Sequence, residues 1–176
     1  MVTPLAQVEF DYDGKRIGFL ANDRGVLDAT QRYHATPYMR GGPLAWTLSA
    51  PMSAVEAVVL HHTAGWYGTG LTVRSALADE LAQLDHLAAD HHQRFGIGPG
   101  YNVAVMPSGN VWAIGKHGTH RAHTKGRHPG NRQPWNVVGR GIVVFGDYEA
   151  EPLTSTLQHG IRKAVREVRS WADRAD

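Results

Sequence analysis

The stretch VEAVVLHHTAGWYGTG, residues 55–70, decides the fold of this chain. It passes from a short β-branched apolar run into two adjacent histidines and then into a glycine-rich turn. Residues 55–60 are typical of a strand that is covered on both faces. A strand end holds a side chain rigidly beside an open loop, so His61 and His62 are the first candidates for a functional site.

Secondary structure before and after this strand follows from apolar spacing. Residues 6–21 alternate apolar and polar on both sides of Asp13-Gly14, which predicts a β-hairpin. Residues 22–54 contain too many prolines and glycines for a long regular element. Residues 72–95 carry leucines at helical spacing and predict an amphipathic helix that begins at Thr72.

The second half of the chain predicts three more strands and a final helix. YNVAVMPSGNVWAIG reads as strand, Ser-Gly-Asn turn and strand, and GRGIVVFGD as another buried strand. Residues 157–171 again show helical spacing. The order of elements predicts an α/β fold, with a central mixed β-sheet flanked by helices.

Length and composition limit the classes of protein that fit. At 176 residues and 42% hydrophobic, the chain suits one core, with residues 50–176 as the main domain and residues 1–49 as an N-terminal extension. Lys+Arg 18 against Asp+Glu 16 is too balanced for a nucleic-acid binder. The start shows no signal-peptide pattern and no apolar run approaches about 18 residues. We therefore expect a monomer that is made in the cytoplasm and does not insert into membranes.

Eleven histidines and no cysteine make imidazole the first metal ligand to consider. A catalytic zinc uses three protein ligands and one open position. On spacing alone an adjacent histidine pair is more often structural, and the loop histidines at 117, 120, 123 and 128 are typical of a solvated basic loop. His91 and its two neighbours near the end of the long helix, His86 and His92, are interpreted as structural or exposed. Tyr101 begins a strand, where it either packs in the core or donates to a substrate oxyanion.

Three segments in order resemble a known family. VVLHHTAG, GPGYNVAVMPSGNVWAIG and RAHTKGRHPGNRQPWNVVGRGIVVFGDY resemble the zinc-dependent N-acetylmuramoyl-L-alanine amidases of the peptidoglycan recognition protein and phage lysozyme type. The resemblance covers about residues 50–176. Ser108-Gly109 stands where the family has Asp-Gly, and Arg121 stands where it has the glycine of Gly-Ala-His.

The resemblance implies a role for each matching residue. His61 matches the first Zn²⁺ ligand and Tyr101 the tyrosine that assists catalysis. The remaining matches imply substrate contacts in a peptidoglycan-binding cleft, at His62, Thr63, His123 and Asn136. Trp66 adds a flat aromatic face for sugar or stem-peptide contacts, as do Tyr67 and Trp135, whereas Trp112 lies inside a strand and favours core packing.

The family pattern continues past the last helix of this sequence. There a further strand carries a Gly-His or Ala-His ligand, followed by a Cys or Asp ligand, so we expect the second and third zinc ligands to lie outside these 176 residues or to be replaced by other residues, with His123 first. Three functions stay open. They are an endolysin-type amidase cleaving between N-acetylmuramic acid and L-alanine, a non-catalytic muramoyl-peptide binding module, and an amidase-derived structural component of a phage.

Overall fold

A seven-stranded mixed sheet runs through the molecule, with one long helix on each face. The computed structural model describes residues 5–34, 56–95, 98–116, 119, 121–130, 132–149 and 151–172. The strands are β1 (Ala6–Tyr12), β2 (Lys15–Ala21), β3 (Val26–Asp28), β4 (Ala57–His62), β5 (Val103–Val105), β6 (Val111–Ala113) and β7 (Gly139–Val144). The helices are α1 (Thr30–His34), α2 (Leu77–Phe95), α3 (Trp135–Val138) and α4 (Ser155–Ala172). This arrangement confirms the predicted α/β class.

The strand order is β1-β2-β3-β6-β5-β7-β4, which places β4 at one edge. β4, β7 and β5 run parallel, whereas β1, β2 and β3 form an antiparallel unit joined to β6. The N-terminal hairpin is therefore continuous with the sheet that carries the histidine strand. Its turn uses positive φ angles at Asp13 and Gly14, 50° and 70°, which an Asp-Gly pair adopts at low cost.

Two apolar cores hold the helices against the sheet. α2 buries one stripe, Leu81, Leu84, Leu87 and Ala88, against the sheet face that carries Trp112 and Val143. α4 packs on the other face with Leu157, Ala164, Val168 and Trp171, over β5, β6 and β7. The buried carboxylate of Glu80 on α2 accepts hydrogen bonds from Asn110 Nδ2 at 3.0 Å and Trp112 Nε1 at 2.8 Å, which fixes the helix against the β5–β6 turn.

Several predicted elements differ in their bounds. The long helix begins at Leu77 rather than at Thr72, because the Thr72 hydroxyl accepts a hydrogen bond from Arg74 N at 3.1 Å and closes a separate turn. The histidine strand runs through His62 instead of ending before His61. The hairpin, the β5–β6 turn and the last helix lie where the spacing predicts them. Within residues 22–34 the chain forms β3 and α1, and residues 35–54 lie outside the described part. Among the described residues, no helix has the length and apolar character needed to cross a bilayer.

Candidate functional site

His61 and His62 enter opposite faces of the sheet. In the parallel register His61 lies beside Val143 and His62 beside Val144. Val143 belongs to the core under α2, and Val144 belongs to the core under α4. Because side chains alternate along a strand, His61 points to the α2 side and His62 to the α4 side.

His123 meets His61 on the α2 side. The two rings approach with His61 Nε2 3.3 Å from His123 Nδ1, and their centroids lie 5.5 Å apart. His123 Nε2 lies 3.4 Å from the carbonyl oxygen of Gly139. A carbonyl only accepts, so this contact places the proton on Nε2 and leaves the Nδ1 lone pair directed at His61.

Gly141 in β7 makes room for the His123 ring. A Cβ atom built on Gly141 would lie 2.6 Å from His123 Cγ, closer than real contacts allow. At Gly139 the tight contact is a different one, because a Cβ atom there would lie 2.8 Å from the carbonyl oxygen of Trp135 and at an ordinary 3.6 Å from His123 Cε1. Any larger residue at position 141 would therefore push His123 away from His61.

Asn136 fixes the backbone that carries His123. Its Oδ1 accepts hydrogen bonds from His123 N at 3.0 Å and Thr124 N at 2.9 Å. Asn136 lies in the short helix α3 immediately before β7, so one side chain joins the loop of His123 to the strand beneath it. In this structure its contacts are to the protein backbone.

Tyr101 completes the cluster from the segment just before β5, two residues ahead of the strand that it was expected to begin. Its ring centroid lies 5.4 Å from that of His61 and 5.5 Å from that of His91 on α2. His91 Nδ1 accepts a hydrogen bond from Gly100 N at 2.8 Å, which holds the segment before Tyr101. A Cβ atom on Gly100 would lie 2.9 Å from both His91 Nδ1 and Ala122 O, so only glycine fits there.

Burial sets the protonation states of this cluster. It lowers the pKa of His61, with a smaller contribution from His62, and lowers the pKa of His91 to about 4. It raises the pKa of Tyr101. At neutral pH His61 and His91 are thus neutral imidazoles and Tyr101 is a protonated phenol.

The other predicted site residues lie outside the cluster. His62 Nδ1 accepts a hydrogen bond from Tyr148 N at 3.2 Å and lies 3.8 Å from Asp147. Thr63 is buried, with its hydroxyl oxygen accepting from Gly146 N at 2.9 Å and lying 2.7 Å from the Tyr67 carbonyl. Trp66 is 75% exposed in the turn that follows.

The cluster meets one requirement of a zinc site and fails another. Two nitrogens bound to one tetrahedral zinc lie about 3.3 Å apart, which agrees with the separation of His61 Nε2 and His123 Nδ1. Across the ranges that the structure describes, however, no three His, Cys, Asp or Glu side chains come together as a metal site. These residues supply two ligands where a catalytic zinc needs three, so they do not hold it by themselves.

Sequence reasoning missed the supporting residues Gly141 and His91. The Gly-x-Gly spacing of Gly139 and Gly141 was a usable signal, because residues two apart on a strand share one face. His91 is buried on the apolar stripe of α2. Its bond to Gly100 depends on packing between distant segments, and the sequence carries no sign of it.

The fold is that of the peptidoglycan recognition proteins. Bumblebee PGRP-SA superposes with a TM-score of 0.59 at 15% identity, over 81% of this chain and 74% of that one. Drosophila PGRP-SA gives 0.59 at 18% identity, over 82% and 72%. A point mutant of Drosophila PGRP-LB in complex with tracheal cytotoxin gives 0.54 at 16%, over 72% of each chain. Neither a protein-family model nor a curated protein sequence matches this chain. At these identities the likeness is one of fold.

Proposed function

We propose that this protein binds the muramoyl-peptide of bacterial peptidoglycan at the cluster of His61, Tyr101 and His123. The observation that carries the proposal is their convergence. Three residues separated by 40 and 22 positions in the sequence meet at one edge of a peptidoglycan-recognition fold. The resemblance implies that His61 is the first zinc ligand, that Tyr101 assists catalysis beside the metal, and that His123 lies on the floor of the ligand groove.

The chemistry of the cluster suits such a ligand. The neutral imidazole of His61 and the protonated phenol of Tyr101 present both donors and acceptors to the amide and lactyl groups of a muramoyl-peptide. The exposed ring of Trp66 lies in the turn that follows β4 and offers an apolar face to a sugar ring. We assign the sugar to Trp66 and the lactyl amide to the His61–His123 pair.

Binding to insoluble peptidoglycan, and calorimetry with a soluble muramoyl-tripeptide, test the proposal. His61→Ala should weaken binding by about tenfold or more, because it removes the imidazole whose Nε2 lies 3.3 Å from His123 Nδ1 at the centre of the cluster. His62→Ala is the matched control, since it alters the next residue of the same strand on the opposite face, and it should stay within about twofold. Failure of the wild-type protein to bind either probe would overturn the proposal and favour a structural role.

Hydrolysis of the amide between N-acetylmuramic acid and L-alanine is the second candidate. The specific observation is that the ring nitrogens of His61 and His123 lie 3.3 Å apart beside the partly buried phenol of Tyr101. A protonated Tyr101 can donate to the substrate carbonyl oxygen as negative charge develops there. Zinc would have to be completed by a ligand from outside the described residues.

Two measurements separate hydrolysis from binding. Zinc per chain, measured after dialysis for the wild type and for His61→Ala, should be about one and near zero if a complete site exists. Release of stem peptides from purified peptidoglycan should then depend on zinc and fall strongly in Tyr101→Phe. Binding without zinc and without release would exclude the enzymatic candidate and leave recognition.

A further inference from the structure

Charge is distributed unevenly around the candidate site. Residues 91–146 contain no Asp or Glu at all, although the whole chain has 16 acids against 18 Lys and Arg. The same segment carries Arg94, Lys116, Arg121, Lys125, Arg127, Arg132 and Arg140. Carboxylates return at Asp147, Glu149 and Glu151, of which Asp147 and Glu149 lie beside His62. The net charge of +2 therefore conceals a strongly cationic region.

Three of these cations lie exposed on one closed loop, described at residues 125–130 and 132–135, which we call the cationic loop. Backbone hydrogen bonds close it, from His128 N to Gln133 O at 2.7 Å and from Trp135 N to Gly126 O at 3.2 Å. Lys125, Arg127 and Arg132 are exposed on it. Arg127 Nη1 donates to the carbonyl oxygen of Arg132 at 2.9 Å, so these two residues are neighbours.

No carboxylate in the described part of the chain forms an ion pair with Lys125, Arg127 or Arg132. Elsewhere arginines are paired, as Arg32 is with Asp85 at 2.6 Å and Arg94 with Asp90 at 3.2 Å. Clustered like charges without local counterions repel one another and favour an external polyanion. Two guanidinium groups and an ammonium group suit phosphate oxygens in particular.

The cationic loop is attached directly to the candidate site. Asn136 follows it and accepts hydrogen bonds from the backbone of His123 and Thr124, which precede it. The ring of His128 packs on Trp135 with centroids 4.8 Å apart, which ties the middle of the loop to its end. A ligand on the loop would therefore be held beside whatever lies against His61 and His123.

We propose that the cationic loop binds a linear phosphodiester polymer attached to the bacterial cell wall. The polymer is recognised by Lys125, Arg127 and Arg132 through its phosphate groups. The cell-wall source rests on the proposed binding of muramoyl-peptide next to the loop. Nucleic acid is the less favoured polyanion, because Trp135, whose ring already contacts His128 with centroids 4.8 Å apart, is the one Trp, Tyr or Phe of this stretch of sequence on which a base could stack.

The test uses the full chain and two triple variants with equal loss of charge. The first is Lys125→Gln, Arg127→Gln and Arg132→Asn, where asparagine suits the positive φ of 62° at position 132. The matched control replaces three exposed cations of α4, Arg162, Arg166 and Arg169, by glutamine. The single variant Lys125→Gln keeps the hydrogen bond from Arg127 Nη1 to the carbonyl oxygen of Arg132, so it guards against a folding defect in the loop.

The probes are soluble poly(glycerol phosphate), cell-wall sacculi that carry phosphodiester polymers, and the same sacculi stripped by hydrofluoric acid. The loop variant should bind poly(glycerol phosphate) and intact sacculi at least about tenfold more weakly at about 50 mM salt, and Lys125→Gln should fall in between. Its salt dependence should flatten by about two in the slope of log K against log salt, at roughly 0.7 per lost phosphate contact. The α4 variant should match the wild type.

Three results would overturn the proposal. They are equal binding to intact and stripped sacculi, equal losses in the loop and α4 variants, and tighter loop-dependent binding of single-stranded DNA than of poly(glycerol phosphate). His61→Ala keeps the loop intact, so it should retain binding to poly(glycerol phosphate) while losing muramoyl-tripeptide. Failure of the muramoyl-peptide proposal therefore appears with a different probe and a different variant.

Discussion

His61 and His62 are adjacent in the sequence and differ in almost every physical respect. His61 faces the α2 side, where it meets His123 and Tyr101 and burial lowers its pKa. His62 faces the α4 side, where Asp147 and Glu149 each lie 3.8 Å away near solvent. Because side chains alternate along a strand, two adjacent histidines therefore lie in different surroundings, one in a candidate binding site and the other beside two exposed carboxylates.

The supports of the two histidines differ as well. His61 belongs to a cluster in which Gly141 leaves space for the His123 ring, Asn136 binds the backbone of His123, and buried His91 binds the backbone before Tyr101. His62 has one backbone hydrogen bond, from Tyr148 N, and two exposed carboxylates that lie 3.8 Å from its ring. Preorganisation by packed neighbours marks the first as the position suited to recognition.

The largest expected effect follows from filling the floor under His123. Gly141→Ala places a methyl group 2.6 Å from His123 Cγ, so the ring must leave its contact with His61. Muramoyl-peptide affinity should fall by about tenfold or more, and unfolding free energy should fall by about 1–3 kcal/mol. Calorimetry and urea unfolding measure the two effects.

Gly18→Ala provides the control for that substitution. Gly18 lies in β2, where a new Cβ would meet Gln7 Nε2 at 3.2 Å and Glu9 Cγ at 3.3 Å, both atoms of flexible side chains. It should leave ligand affinity unchanged. Wild-type affinity in Gly141→Ala would mean that the His61–His123 contact is not part of the binding site.

The next effect concerns pH and His91. Its pKa is about 4 in the fold against 6.5 in the unfolded chain, so between these values the unfolded state binds the extra proton. Stability should therefore fall as pH falls through this window, with His91 contributing roughly 2 kcal/mol between about pH 7 and pH 5. Unfolding free energy, measured by urea at several pH values, should depend less steeply on pH in His91→Leu than in the wild type.

His91→Asn separates titration from positioning. Asparagine cannot titrate, but its Oδ1 can accept the Gly100 N–H that His91 Nδ1 accepts at 2.8 Å. It should flatten the pH slope as leucine does, yet keep ligand affinity nearer to the wild type. Identical slopes in all three proteins would show that His91 does not carry the pH dependence.

The sequence was most informative about elements that are stabilised locally. Alternation around Asp13-Gly14 predicted the hairpin, and helical spacing predicted α4, because each pattern reports contacts within one element. The start of α2 was wrong because Thr72 caps a turn with the same chemistry that caps a helix. Apolar spacing therefore locates a helix more reliably than a candidate capping residue locates its first turn.

The candidate site was only partly accessible to the same reasoning. His61, Tyr101 and His123 were selected by ordered motifs, and the fold brings them together. The supports at Gly141 and His91 were not found, because each acts on a segment distant in sequence through the register of tertiary packing. Spacing along the chain does not encode that register.

The smallest effect should come from His62, and it completes the comparison with His61. Its side chain is 30% exposed and the nearby carboxylates of Asp147 and Glu149 are 46% and 85% exposed, so their electrostatic effect is below about 1 kcal/mol. His62→Leu should lower unfolding free energy by about 1 kcal/mol through loss of the acceptor for Tyr148 N, and His62→Asn should restore most of it. Urea unfolding at low and high salt distinguishes the two contributions, because salt screens the effect of the exposed carboxylates far more than the hydrogen bond to Tyr148 N. If His62→Leu lowered the unfolding free energy as much as Gly141→Ala does, the contacts of β4 on the α4 side would contribute as much to stability as those on the α2 side. The contrast drawn between His61 and His62 would then be wrong.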